Sequence, residues 1–155
     1  MHRFFSPDLT PSQEILRQLK NVLHFQKGER FILFDGSGYD FISEFDGSGA
    51  KILEKVLNRR EPERKIFLCQ SLLKKDKMEW VFQKGTEAGV FEFVPALSAR
   101  SVKKDFNKVR AEKIIREAAE QSGRAILPKV GEVKDFKEAL EFVQKARLSG
   151  VIADP

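Results

Sequence analysis

The side chains best suited to chemistry in this chain sit in polar clusters that close apolar runs. Gln83-Lys84-Gly85-Thr86-Glu87-Ala88-Gly89-Val90 ends one helical pattern ahead of a strand. Ala99-Arg100-Ser101-Val102 follows the next strand, and Glu117-Ala118-Ala119-Glu120-Gln121-Ser122-Gly123-Arg124 closes the longest helix. Glu117 and Glu120 could take up a proton or simply charge a surface. Gln121 could hydrogen-bond a base edge or serve as a helix former. Arg124 could stabilise a developing anion, or it could satisfy the last helical carbonyls and favour the helix dipole.

Other chemistries find no support. His2 and His24 are the two histidines, and no Cys/His spacing marks a metal site, so no metal is expected. Ser37 and Ser48 lie in Gly-flanked turns without an evident base, and there is no Gly-x-Ser-x-Gly elbow or Walker loop. The two Gly-x-Gly stretches each precede a strand rather than a helix, and they read as hairpin turns.

The chain has 155 residues, 41% hydrophobic and 33% charged, a globular composition suited to one domain or two small ones. Its net charge of +5 is uneven: residues 1–70 carry 11 Lys/Arg against 10 Asp/Glu, and residues 71–155 carry 17 against 13. Residues 100–124 hold 8 basic and 4 acidic side chains. Such a surplus attracts phosphate, although an ordinary solvated helix face has the same composition. No apolar run approaches the roughly 20 residues that span a bilayer, and the N-terminus does not resemble a signal peptide. The single cysteine, Cys69, lies in the run Ile66-Phe67-Leu68-Cys69 and is expected to be a small buried hydrophobe in a reducing, cytoplasmic compartment.

These clusters need elements to position them. Thr10-Pro11-Ser12-Gln13 predicts a helix start with Thr10 as N-cap, followed by the stripe Ile15, Leu16, Leu19, Val22 and Leu23. Phe31–Phe34, Tyr39–Phe45 and Lys51–Leu57, separated by Asp-Gly turns, predict a small β-meander or barrel. Asn58–Lys65 is charged, contains Pro62 and reads as a linker. Beyond it a strand at Ile66–Leu68 is expected. A helix capped by Asp76-x-x-Glu79 and stopped by Gly89 follows, then a strand over Phe91–Val94 ended by Pro95. Helices are then expected at about Lys108–Ser122 and from Asp135-x-x-Glu138, with a final strand over Gly150–Ala153. Alternating strands and helices argue a parallel α/β sheet, and the chain is expected to stop after about three strands of it.

Taken in order, Arg3-Phe4-Phe5, Leu33-Phe34-Asp35-Gly36, Lys84-x-Thr86-Glu87-x-Gly89-Val90, Arg100-Ser101-Val102 and Glu117–Arg124 resemble a known family. They are similar to the bacterial small-subunit (16S) ribosomal RNA uridine-N3 methyltransferases, the RsmE-type branch of the SPOUT superfamily. The resemblance implies a PUA-like β-barrel over residues 1–68 that binds RNA. It implies the N-terminal portion of a SPOUT-type parallel α/β methyltransferase domain over residues 69–155. It also implies S-adenosylmethionine as methyl donor, small-subunit ribosomal RNA or the 30S particle as substrate, and a homodimer.

There are two departures. His24 stands where such proteins place an arginine. The C-terminal knot, with its Gly-Pro-Glu-Gly-Gly loop, has no counterpart, so the α/β domain is expected to be truncated and this chain to be inactive alone, with no donor-binding residues.

Uridine N3 lies on the pairing edge of the base, so the nucleotide must be unpaired or flipped to be reached. Positioning and stabilisation of the uridine anion should then supply most of the rate. Arg124, Glu120 and Gln121 are the catalytic candidates. Arg3, Lys84, Arg100 and Ser101 are the candidates for contacts to RNA. A non-catalytic RNA-binding module, and a SPOUT methyltransferase acting on another base, are the competing readings.

Overall fold

The structure, a computed structural model, describes residues 1–98, 101, 105–145 and 149. The chain divides into two units. One comprises Met1–Arg64 with Ile115–Leu127, and the other comprises the described residues of Lys65–Ile114 and those from Pro128 onward.

In the first unit, β1 (Arg3–Phe5), β2 (Arg30–Phe34), β3 (Tyr39–Phe45) and β4 (Ala50–Leu57) form one sheet in the order β1-β2-β3-β4. β1 runs parallel to β2, and the other two pairs are antiparallel hairpins. The Asp-Gly turns act as expected. Gly36 and Gly47 take φ of 90° and 101°, which side chains disfavour, while Asp35 and Asp46 each accept the backbone N–H two residues on. Alternation along β3 sends Phe41, Ser43 and Phe45 inward. Phe41 and Phe45 join Phe4, Ile15, Leu19, Phe31 and Leu33 in a core rich in phenylalanine.

Three expectations are corrected here. No pairing joins β1 to β4 among the described residues, so the sheet is open rather than a closed barrel. Ser12, not Thr10, caps α1 (Gln13–Arg17), accepting from the Ile15 N–H, while the Thr10 carbonyl is taken by the Ser6 hydroxyl. The helix then widens into a π-turn at Gln18–Val22, which shifts the apolar phase and leaves Val22 66% exposed.

In the second unit, β5 (Ile66–Ser71), β6 (Val90–Leu97), β7 (Lys129–Val130) and β8 (Lys134–Asp135) make a wholly parallel sheet centred on β6. α2 (Lys75–Glu87) and α4 (Phe136–Lys145) accompany it. Gly85 lets α2 lie close to β6, because an added Cβ would stand 2.6 Å from the Phe93 ring. α3 (Lys108–Ser122) contributes its first part, to Ile114, to this unit and the rest to the first.

α3 occupies its predicted span, and Asp135 and Glu138 form the predicted capping box before α4. Asp76 does not cap α2: Lys74 holds the cap position without a side-chain bond, and Asp76 sits in the first turn, where its charge suits the dipole. β6 runs through a buried Pro95 to Leu97, because Ala96 is paired with both β5 and β8 and carries the strand past one missing N–H. Cys69 is exposed rather than buried, since its strand β5 pairs only with β6 among the described residues. The strand expected at 150–153 lies outside the described residues.

Candidate functional site in the first unit

The C-terminal end of α3 is held by its own backbone. Gly123 adopts φ of 81°, and the N–H groups of Gly123 and Arg124 both return to the Ala119 carbonyl. This is the glycine-dependent ending its sequence announced. The Arg124 side chain is therefore released from capping, and it turns to Glu61 instead. Its Nε and Nη2 donate to Glu61 Oε2 at 3.2 and 2.9 Å. Glu61 Oε1 accepts the Ala125 and Ile126 N–H groups at 2.8 and 2.9 Å. The Arg124 side chain is 5% exposed and that of Glu61 14%, so this is a buried ion pair with the remaining lone pairs of the carboxylate satisfied.

A second carboxylate organises the other side of the turn. Arg3 forks onto Asp40 at 2.7 and 2.9 Å, reaches the Arg124 carbonyl at 3.0 Å, and lies 5.2 Å above the Phe34 ring. Asn58 donates to both Asp40 oxygens and to the Gly123 carbonyl. The Glu120 carboxylate accepts the Phe5 N–H at 2.9 Å, tying α3 to β1. Burial raises the Glu120 carboxyl above the ordinary range, opposed by the Phe5 hydrogen bond and by Arg116. A glutamate so placed is a better proton acceptor than a solvated one. Gln121 is exposed at the end of the same helix.

The structure thus gathers Arg3, Glu120, Gln121 and Arg124 into one unit. Lys84 lies in the second unit, exposed and paired with Glu87 at 2.7 Å. The Ser101 hydroxyl there accepts the Ser98 N–H. Arg100 lies outside the described residues.

Sequence reading missed Glu61, Asp40 and Asn58. Glu61 stands 63 positions from Arg124, a separation no local spacing can reveal, and its charged surroundings read as a linker. Among the described residues no group of His, Cys, Asp and Glu could hold a metal ion, and no helix is long and apolar enough to cross a membrane.

The model of the RNA methyltransferase domain matches residues 59–155. The chain belongs to that RNA methyltransferase family. It is 33% identical over 150 residues to ribosomal RNA small subunit methyltransferase E of Bacillus subtilis, covering 90% of this chain and 59% of the relative. It is 34% identical to the protein of that name from Synechocystis, covering 87% of this chain and 46% of the relative. It is also similar to a crystal structure of ribosomal RNA small subunit methyltransferase E from Neisseria gonorrhoeae bound to S-adenosyl methionine. There the TM-score is 0.83 at 31% identity, covering 90% of this chain and 64% of that one. The chain therefore spans less than two thirds of the length of these relatives.

Proposed function

We propose that the protein methylates N3 of a uridine in small-subunit ribosomal RNA, with S-adenosylmethionine as donor. The observation that carries this reading is the match of 90% of the chain, in sequence and in fold, to small-subunit ribosomal RNA methyltransferases. In the same reading the first unit is a PUA-like RNA-binding module, and the protein acts as a cytoplasmic homodimer on ribosomal RNA or the 30S particle.

In that reading the described residues of the first unit serve the RNA side of the reaction. The cleft between α2 and α3, lined by Met78, Phe82, Phe106 and Arg110 among others, is about 260 Å³. That is below the roughly 300–1,000 Å³ of small-molecule sites.

In the first unit the exposed Gln121 amide is free to meet a base edge. Glu120, made more basic by burial, is the group suited to receive the N3 proton. Arg3 and Arg124 are positioning residues in this reading, because each guanidinium is committed to a carboxylate that fixes the turn.

The test is methylation of ribosomal particles by the protein expressed from its whole coding sequence, followed by nuclease digestion and mass spectrometry. A 3-methyluridine product is expected. A methyl group on ribose or on a base carbon would overturn the assignment, and no RNA product at all would favour a binding module.

A further inference from the structure

We propose that the segment between β4 and β5 is a rigid strap presenting Arg59, Arg60 and Arg64 to the RNA phosphate backbone, beside the end of α3. The proposal rests on the RNA methyltransferase reading for its partner, and on the following geometry for its place.

The strap is pinned from inside by two side chains whose polar atoms are engaged. Asn58 holds Asp40 and the Gly123 carbonyl with its amide N–H groups, and its carbonyl oxygen accepts the Arg60 N–H at 2.8 Å. Glu61 holds the Arg124 guanidinium and the Ala125 and Ile126 N–H groups. Pro62 then fixes one further backbone angle.

With Asn58 and Glu61 turned inward, Arg59, Arg60 and Arg64 are left exposed, and none is in an ion pair among the described residues. Arg60 lies over Gly123, where any side chain would collide with its guanidinium. A cation thereby stands close to the end of α3, the helix that carries the exposed Gln121. The backbone through Glu61 is held by these bonds, so phosphate contacts at Arg59 and Arg60 need only side-chain ordering. Guanidinium groups bond phosphate oxygens through two parallel N–H donors.

The experiment measures binding of an in vitro transcript of small-subunit ribosomal RNA across a salt series. It compares the wild type, R59A/R60A/R64A, R59K/R60K/R64K, and a control K27A/K51A/K137A that removes the same charge from exposed positions elsewhere. Three lost phosphate contacts should flatten the log–log salt slope by about two. The lysine variant should keep the wild-type slope, and the scattered control should stay near it.

Equal flattening in the strap and control variants would reduce the effect to net charge and overturn the proposal. So would an unchanged slope in R59A/R60A/R64A. Thermal unfolding of each variant verifies folding, and R59Q/R60Q/R64Q, which removes the same charges but keeps polar side chains, repeats the test if the alanine variant does not fold. The methylation assay reports separately: a strap-dependent slope without a methylated product would sink the enzymatic reading and leave the strap standing.

Discussion

Glu61 receives the Arg124 guanidinium on one carboxylate oxygen and two successive backbone N–H groups, those of Ala125 and Ile126, on the other. One side chain from the segment after β4 thus fixes both the side chain and the backbone at the end of α3. Replacing Glu61 by Ala leaves a buried cation without this partner, and breaking a buried pair costs about 3–5 kcal/mol. Urea unfolding should show that loss for Glu61→Ala. A double-mutant cycle with Arg124→Met should recover much of it, because the buried charge that Glu61 balances is then gone.

Arg124→Ala separates two roles. A donor aimed at a developing anion is worth about 10²–10³ in rate, and its loss would leave stability and RNA affinity nearly intact. A positioning residue loses stability and activity together. The geometry predicts the second outcome, and single-turnover methylation measured beside denaturant unfolding decides it.

Glu120 gives a prediction with a defined sign. Burial raises its carboxyl above the ordinary glutamate value, so the folded state holds the proton to a higher pH than the unfolded chain does. Its contribution to stability is therefore fully present below the unfolded value and is lost as pH rises through the folded one. Glu120→Gln keeps an oxygen for the Phe5 N–H and removes the charged form. It should be at least as stable as the wild type at neutral pH, with a flatter stability profile above the ordinary glutamate range. If Glu120 takes the uridine proton, the same variant loses methylation while staying folded. Wild-type activity in a well-folded Glu120→Gln would remove it from the chemistry.

Arg3 is expected to matter for folding rather than for RNA. Its two-pronged contact with Asp40 and its bond to the Arg124 carbonyl demand a planar fork that lysine lacks. Arg3→Lys should lower stability by about 1–3 kcal/mol, in line with hydrogen bonds to charged groups. RNA affinity should remain unchanged. A loss of affinity at full stability would restore the phosphate role.

Gly123→Ala places a side chain at φ of 81° and against Arg60. The left-handed conformation alone costs roughly 1–2 kcal/mol. A fall in melting temperature is expected, together with altered RNA binding as Arg60 is displaced.

The local features of this protein were legible in its sequence because their causes are local. Asp-Gly turns need left-handed glycines and short acceptors, α3 keeps one apolar face from Ala111 to Ala119 and ends at a glycine, and Asp135 and Glu138 bond each other across a single turn. The resemblance carried by the ordered motifs also depends on sequence alone.

The tertiary structure decided which side chains meet. The π-turn moved Val22 out of its stripe, and pairing on both sides of Ala96 took β6 past Pro95. The charged stretch after β4, which carries the boundary between the two units, also acts as a clamp, because Asn58 and Glu61 find their partners at Gly123, Arg124, Ala125 and Ile126. Charge and hydropathy report whether a side chain favours water. They do not report which distant donor makes its burial favourable, and that pairing exists only once the chain has folded.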